Sequence, residues 1–255
     1  MNNKFSLDGK AVLVTGASGG LGEHFAETLG RAGARVVLAG RRGNLLRDVA
    51  GRLQKSGIQA HGVIIDVTSQ DSIRSGFDQA QTLCGLINVV VCNAGVTANK
   101  RSLDLTVAEW SGVLETNLNG SWMVANEAAR RLVKAGQPGS IIIITSILGH
   151  RVAGSVLPYT VSKAGLEQMT RGLALEWARY GIRVNAIAPG YIETDLNREF
   201  FSSDAGKAMV NRIPQRRLGQ RGDLDGALML LASDASAYMT GSSIVVDGGH
   251  LQSSL

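Results

Sequence analysis

The chain has 255 residues, 44% of them hydrophobic and 18% charged, which supplies one substantial core and argues against disorder. Its formal charge of +5 comes from 26 basic residues scattered without a Lys/Arg block or interleaved aromatics, a pattern that speaks against nucleic acid and fits anionic small ligands. Cys84 and Cys92 lack metal-knuckle or redox-pair spacing, and His24, His61, His150 and His250 form no HxxH or HExxH pattern, so no metal is expected. With no signal-peptide pattern and no apolar stretch long enough to span a bilayer, the expected location is cytoplasmic, away from membranes.

From the amino end, Ala11-Val12-Leu13-Val14 is a short buried-strand pattern, and Leu21, Phe25 and Leu29 follow at helical spacing. Val36-Val37-Leu38 predicts a second strand, Leu45, Val49 and Leu53 a second helix, and Val63-Ile64-Ile65 a third strand. A helix through the 70s precedes Val89-Val90-Val91, and two helices reach to about residue 135 before Ile141-Ile142-Ile143-Ile144. A long helix follows Tyr159, and strands are expected at Val184-Asn185-Ala186-Ile187 and Ile244-Val245-Val246.

Seven strands alternating with helices predict right-handed βαβ units. The expected fold class is α/β, a Rossmann-type doubly wound, seven-stranded parallel sheet with helices on both faces. No repeat, low-complexity segment or linker interrupts it, so residues 1–255 read as a single domain. An irregular, charged stretch at about 190–222 holds Phe200, Phe201, Met209 and Ile213 and is expected to be a lid over a ligand site.

Thr15-Gly16-Ala17-Ser18-Gly19-Gly20-Leu21-Gly22 falls directly after the first strand and opens the first helix. Glycines let the backbone turn tightly and approach a pyrophosphate, while free N–H groups at the helix start attract the anion. The same glycines also suit an ordinary strand-to-helix turn; their place in the first βα unit favours a dinucleotide. The second strand ends in Ala39-Gly40-Arg41-Arg42, offering no carboxylate for a ribose 2′-hydroxyl and two guanidinium groups for a 2′-phosphate. NADP is therefore the expected cofactor and NAD the alternative. A solvated helix start is the competing role for the two arginines.

Tyr159 and Lys163 are four apart on the long helix, so both side chains leave one face. A phenol with a pKa near ~10 is a sluggish acid or base at neutral pH, and a neighbouring ammonium is expected to lower that value. Thr15-Gly16-x-x-x-Gly20-x-Gly22, Asn93-Ala94-Gly95, Asn117, Ser146, Tyr159-x-x-x-Lys163 and Pro189-Gly190 together resemble the single-domain short-chain dehydrogenase/reductases, 3-oxoacyl-carrier-protein reductase-like members among them. The resemblance runs from about Leu7 to Gly249.

The resemblance implies a hydride transfer between NADP(H) and a ketone or secondary alcohol. Tyr159 is then the acid/base, Ser146 binds the substrate oxygen, Lys163 holds the nicotinamide ribose and depresses the tyrosine pKa, and Asn117 orders a water that links Lys163 to solvent. It further implies cofactor contacts from Gly16, Ser18, Gly20, Leu21, Gly22, Arg41, Arg42, Asp66, Val67, Asn93, Ala94, Gly95, Pro189, Gly190, Ile192 and Thr194. Asp66 would accept from the adenine amino group, with a helix cap as its competing role. The chain departs from a common NADP-preferring form at Gly19, where a basic residue often sits, which keeps NAD in play.

Substrate selection is expected from the loops at Val96–Arg101, Ile147–Leu157 and the stretch after Gly190. Ile147, Leu148, Val152, Val156 and Leu157 suggest an apolar wall, with His150 and Arg151 as polar candidates or plain surface residues. A medium-sized ketone or a 3-oxoacyl thioester would suit such a pocket. Arg130 and Arg131 could meet an acidic carrier or serve as solvated charge. Relatives commonly pair helices at about 107–135 and 159–180, so a homotetramer or homodimer is expected, with Trp122, Met123 and Trp177 as interface or core. Two other readings stay open: an NAD-dependent alcohol or sugar dehydrogenase, and a catalytically idle dinucleotide-binding sensor or scaffold.

Overall fold

A computed structural model describes residues 4–193 and 201–253. The strands are β1 (Ala11–Thr15), β2 (Arg35–Gly40), β3 (Ala60–Ile64), β4 (Val89–Cys92), β5 (Gly139–Ile144), β6 (Ile182–Pro189) and β7 (Ser243–Val246). They form one sheet in the order β3-β2-β1-β4-β5-β6-β7, every neighbouring pair parallel. Val12, for example, faces Val36 on one side and Val89 on the other. All seven expected strands are present.

Among the described residues the α-helices with both ends defined are α1 (Gly20–Arg31), α2 (Gly43–Lys55), α3 (Gln70–Cys84), α4 (Val107–Leu114), α5 (Gly120–Ala135), α6 (Leu157–Trp177), α7 (Asp204–Val210) and α8 (Asp225–Ala232). A strand covered on both faces reads as an unbroken apolar run, because alternate side chains enter two different cores. In β1, Ala11 and Leu13 join the cluster that holds Ile73, Phe77, Ala128 and Leu166 from α3, α5 and α6. Val12 and Val14 join Phe25, Val49 and Leu228 from α1, α2 and α8. Each fully buried side chain of this size contributes roughly 1.5–3 kcal/mol.

Local signals set the helix ends. The Ser69 hydroxyl caps α3 by accepting from Ser72 N–H at 3.3 Å, and Thr106 and Glu109 form a reciprocal capping box at α4. Pro158 occupies the first turn of α6, where a missing N–H is harmless. This helix therefore begins before Tyr159 rather than after it. In α2 the buried face is Leu46, Val49, Ala50 and Leu53, while Leu45 is exposed. The two helices expected before residue 135 are joined without a break, since α4 passes into α5 through a π turn at Glu115–Asn119. Within the stretch at 190–222, the described residues 201–222 contain α7 and a 3-10 turn that starts at Arg221 and runs on to Leu224.

The strand order reverses between the paired strands β1 and β4: from β1 the chain builds out to the β3 edge, and from β4 to the β7 edge. A crevice opens outside the carboxyl ends at such a switch point. The candidate residues cluster there.

Candidate active site

Thr15 ends β1 and ties it to the end of β4. Its hydroxyl accepts from the N–H groups of Asn93 and Ala94 at 2.9 and 3.0 Å, and the Asn93 amide donates to the Thr15 carbonyl at 2.9 Å. Gly16 follows with φ +68, and a Cβ there would stand 3.0 Å from both Ala94 Cα and Asn93 Nδ2. At Gly22 an added Cβ would overlap the Gly16 carbonyl. At Gly16 and Gly22 side chains are sterically excluded by the end of β4 and by the turn itself, while Gly19 and Gly20 face open space, which leaves a cradle with room for close approach to a pyrophosphate.

Beside it a cavity of about 380 Å³ is lined by Ser18, Arg41, Arg42, Asp66, Val67 and Asn93. Arg42 donates to the Ser18 hydroxyl through Nε at 3.2 Å and Nη2 at 2.8 Å, so its guanidinium lies over the glycine turn. Asp66 Oδ1 accepts from the Thr68 N–H at 3.0 Å and the Thr68 hydroxyl at 2.8 Å. The backbone hydrogen bond from Thr68 is the main cause that holds its carboxyl below the usual range, and Arg41 adds to the effect. The cap of α3 is Ser69, not Asp66.

A second cavity of about 360 Å³ shares Asn93, Gly95 and Val96 with the first and reaches Leu21, Ser146, Tyr159, Lys163, Pro189 and Gly190. Ser146 comes from the end of β5 with extended backbone, and its hydroxyl accepts from Leu148 N–H at 3.1 Å. Tyr159 and Lys163 come from adjacent turns of α6, with Lys163 Nζ 5.3 Å from the centre of the Tyr159 ring. Nζ donates to the Ile144 carbonyl at 2.8 Å. Burial pulls this ammonium down to about 8, and the charge of Glu167 opposes that pull.

The expected lowering of the Tyr159 phenol by Lys163 is not what the geometry produces. Burial raises Tyr159 above its ordinary value, opposed by a hydrogen bond with Ser146 and reinforced by Tyr191. Lys163 aims its Nζ at a backbone carbonyl, so desolvation decides the tyrosine's state.

Asn117 is fully buried in the π turn, a form of helix defect that recurs at functional sites. Both N–H groups of its amide are committed: Nδ2 donates to the Val96 carbonyl at 2.9 Å and to Ser162 Oγ at 3.0 Å. Oδ1 accepts from Val96 N–H at 2.8 Å, and the Ser162 hydroxyl donates to the Tyr159 carbonyl at 2.7 Å. Asn117 therefore braces the loop after β4 against the helix that carries Tyr159.

At the substrate end Ile147 and Leu148 line the cavity, but Val152 is 81% exposed and Leu157 is also exposed, so the apolar wall is shorter than expected. His150 is exposed and Arg151 half-buried, and each still meets a partner on the protein. His150 Nε2 lies 3.3 Å from Glu167 Oε1, and Arg151 Nη1 donates to the His250 carbonyl at 2.7 Å. Ile192 lines the cavity and bridges to Gly219, and Phe201 meets Tyr191 edge-on at 5.7 Å. Thr194 and Phe200 lie outside the described residues. Arg131 is held by Glu127 and Asp78 at 2.7 and 2.8 Å, leaving Arg130 as the exposed member of that pair. Trp122 is exposed, whereas Met123 and Trp177 pack against the core.

Two site residues carry no mark of their own in the sequence. Tyr191 lines the cavity between Gly190 and Ile192, its ring tilted against that of His250 with centroids 5.4 Å apart, yet its position falls in a gap of the Pro-Gly pattern. The bracing hydroxyl of Thr15 had only the glycine motif to mark it. Among the described residues no group of three His, Cys, Asp or Glu side chains could hold a metal ion. No described helix is long and apolar enough to cross a membrane.

Known proteins resemble this chain over nearly its whole length. A family model described as Enoyl-(Acyl carrier protein) reductase matches residues 16–250. The 3-oxoacyl-(acyl-carrier-protein) reductase FabG of Pseudomonas aeruginosa is 38% identical over 96% of this chain and 98% of its own. Gluconate 5-dehydrogenase of Gluconobacter oxydans is 33% identical over 96% of both chains. The crystal structure of a gluconate 5-dehydrogenase from Burkholderia cenocepacia, in complex with NADP and tartrate, superposes with a TM-score of 0.94 at 33% identity, covering 99% of each chain. With this fold, this crevice and these relatives, the chain belongs to the short-chain dehydrogenase/reductase family, nicotinamide-dependent oxidoreductases that act on CH–OH and C=O groups.

Proposed function

We propose that the chain is an NADP(H)-dependent carbonyl or 3-oxoacyl reductase working in the direction of ketone reduction. The observation that carries this reading is the convergence of Ser146, Tyr159 and Lys163 on one cavity that joins the glycine cradle. NADPH supplies the hydride when bound. The glycine turn would take its pyrophosphate, Arg41 and Arg42 its 2′-phosphate, Asp66 and Val67 its adenine, and Gly190 with Ile192 its nicotinamide end. An ammonium has three N–H donors; one of Lys163's goes to Ile144, leaving two for the paired ribose hydroxyls.

Ser146 and Tyr159 then face the substrate oxygen together. The hydroxyl of Ser146 stabilises negative charge as it develops there, and Tyr159 delivers its proton to the same atom. A phenol raised by burial stays protonated at neutral pH, which is the state a proton donor needs. The work belongs to one domain spanning residues 1–255, with the stretch at about 190–222 as its lid. A cytoplasmic homotetramer or homodimer completes the reading.

The deciding experiment pairs calorimetric titration with NADPH and NADH with turnover of a ketone panel that includes an acetoacetyl thioester and a keto-sugar acid. Tight NADPH binding and a loss of roughly 10²–10⁴-fold in turnover for Tyr159→Phe, with cofactor affinity kept, is the expected result. Preference for NADH would instead favour an alcohol or sugar dehydrogenase. Binding without turnover of any ketone would leave a sensor, and binding of neither cofactor would sink the dehydrogenase reading.

A further inference from the structure

Tyr159 and Tyr191 are the two aromatic side chains, among the described residues, that line the cavity holding Ser146 and Lys163. The first has its task in the proposed chemistry; the second has none yet. Its backbone is pinned on both sides. The Gly190 N–H donates to the Val246 carbonyl of β7 at 2.9 Å, and the Tyr191 carbonyl accepts from the Gly219 N–H at 2.9 Å. Its ring is wedged as well, meeting Phe201 edge-on at 5.7 Å and the tilted ring of His250 at 5.4 Å.

The wedge is itself fixed. Arg151 Nη1 and the Ser253 hydroxyl both donate to the His250 carbonyl, at 2.7 and 2.9 Å. His250 contributes a ring and not a charge: burial lowers it below its ordinary value, and its Nδ1 is buried with no hydrogen-bond partner. The Tyr191 hydroxyl, by contrast, is spare, with no hydrogen-bond partner among the described residues. That is unusual for a half-buried tyrosine, whose hydroxyl normally finds a partner on leaving water. Burial raises this phenol above its ordinary value, against the charge of Arg151, so it is neutral at pH 7 and can give one hydrogen bond while accepting another. Another hydroxyl can answer both.

The rest of the cavity limits what carries that hydroxyl. Its volume of about 360 Å³ has to take the nicotinamide as well as the substrate, which keeps the substrate small. Ile147 and Leu148 form a short apolar side, and Val152 and Leu157, which would lengthen it, are exposed. A long acyl chain has little to lie against.

We propose that Tyr191 is a specificity-determining residue: its hydroxyl binds a substrate hydroxyl close to the reacting carbonyl, so the preferred substrate is a small hydroxyketone and not a 3-oxoacyl thioester. The inference rests on the reductase reading and narrows the ketone within it. A site built to hydrogen-bond a substrate hydroxyl rejects the analogue that lacks it, because its own polar group is then left unpaired.

The test compares kcat/KM with NADPH at pH 7 for three ketones: hydroxyacetone, butanone, which has a methyl in place of the hydroxyl, and an acetoacetyl thioester. Wild type should prefer hydroxyacetone to butanone by about 10–100-fold, the worth of one hydrogen bond whose loss leaves a buried group unpaired. Tyr191→Phe keeps the ring and removes the hydroxyl, and it should lose about that factor on hydroxyacetone and far less on butanone. The hydroxyl activates its neighbouring carbonyl equally in both proteins, so the collapse of the ratio between them is the decisive reading. Equal losses on both ketones overturn the proposal. So does a wild type that reduces butanone as well as hydroxyacetone, a result that needs no variant. Turnover of the thioester with neither small ketone reduced also overturns it and leaves the reductase reading standing. Turnover of none of the three sinks both.

Discussion

Replacing Lys163 by Met removes a titrating charge from the interior while keeping much of the side chain's volume. Burial brings the ammonium from its ordinary 10.5 down to about 8. Below pH 8 both folded and unfolded chains carry the charge, and the folded chain bears the full cost of holding it. Above 10.5 both are neutral and that cost is gone. Between these limits the unfolded chain binds more protons, so wild-type stability rises with pH. The gap of about 2.5 pH units corresponds to roughly 3 kcal/mol in total, of which about 2 kcal/mol is recovered between pH 7 and 9.5.

Every other titrating group is common to both proteins, and the difference between them isolates Lys163. Urea unfolding at pH 7 and pH 9.5 is the assay. Wild type should gain about 2 kcal/mol on Lys163→Met between the two, a relative midpoint shift on the order of 1 M. A difference that stays constant with pH, or moves the other way, would refute the argument that this lysine is held charged against its desolvation.

Arg42→Ala should weaken NADPH binding about 10–100-fold, the worth of a charge-assisted hydrogen bond to phosphate, and leave NADH binding unchanged in the same calorimeter. Equal losses for both cofactors would place the guanidinium at the pyrophosphate and not at the 2′-phosphate. Gly190→Ala would put a Cβ 2.7 Å from Asp247 Cα and Cβ, a clash that costs about 1–3 kcal/mol of stability. It should cost turnover about 10²-fold, as small displacements near reacting atoms do, while 2′,5′-ADP, which ends before the nicotinamide, still binds; loss of both would mean a global fault.

Much of this fold is legible because a strand buried on both faces needs apolar side chains at every position. Val89-Val90-Val91 and Ile141-Ile142-Ile143-Ile144 therefore announce themselves. The glycine cradle is legible for a steric reason, since no side chain fits at Gly16 or Gly22. What escapes the sequence depends on partners distant along the chain. Leu45 and Leu46 are both leucines, and only packing against β3 decides that Leu46 goes inward. Thr15 reads as a strand residue until Asn93 and Ala94 arrive at its hydroxyl. The π turn at Asn117 has no periodicity of its own, because the helix continues on either side of it. Glu167 reads as a solvated helix position until β7 and the Ser146 loop cover it.

Tyr159 and Lys163 share one helix face and one cause of perturbation, and the same desolvation moves them to opposite ends. Burial disfavours charge. It therefore raises the tyrosine, whose charged form is the phenolate, and lowers the lysine, whose charged form is the ammonium. Below about pH 8 the pair consists of a neutral phenol and a charged ammonium, the combination that the proposed roles of proton donor and ribose holder require. Alcohol oxidation asks for the reverse state of the tyrosine, a phenolate formed against desolvation. Ser146 supplies the one hydrogen bond that eases that change. Desolvation thus keeps the phenol protonated, and as pH falls from 8 towards neutrality Lys163 becomes fully charged beside it, the pairing of states that the proposed reduction calls for.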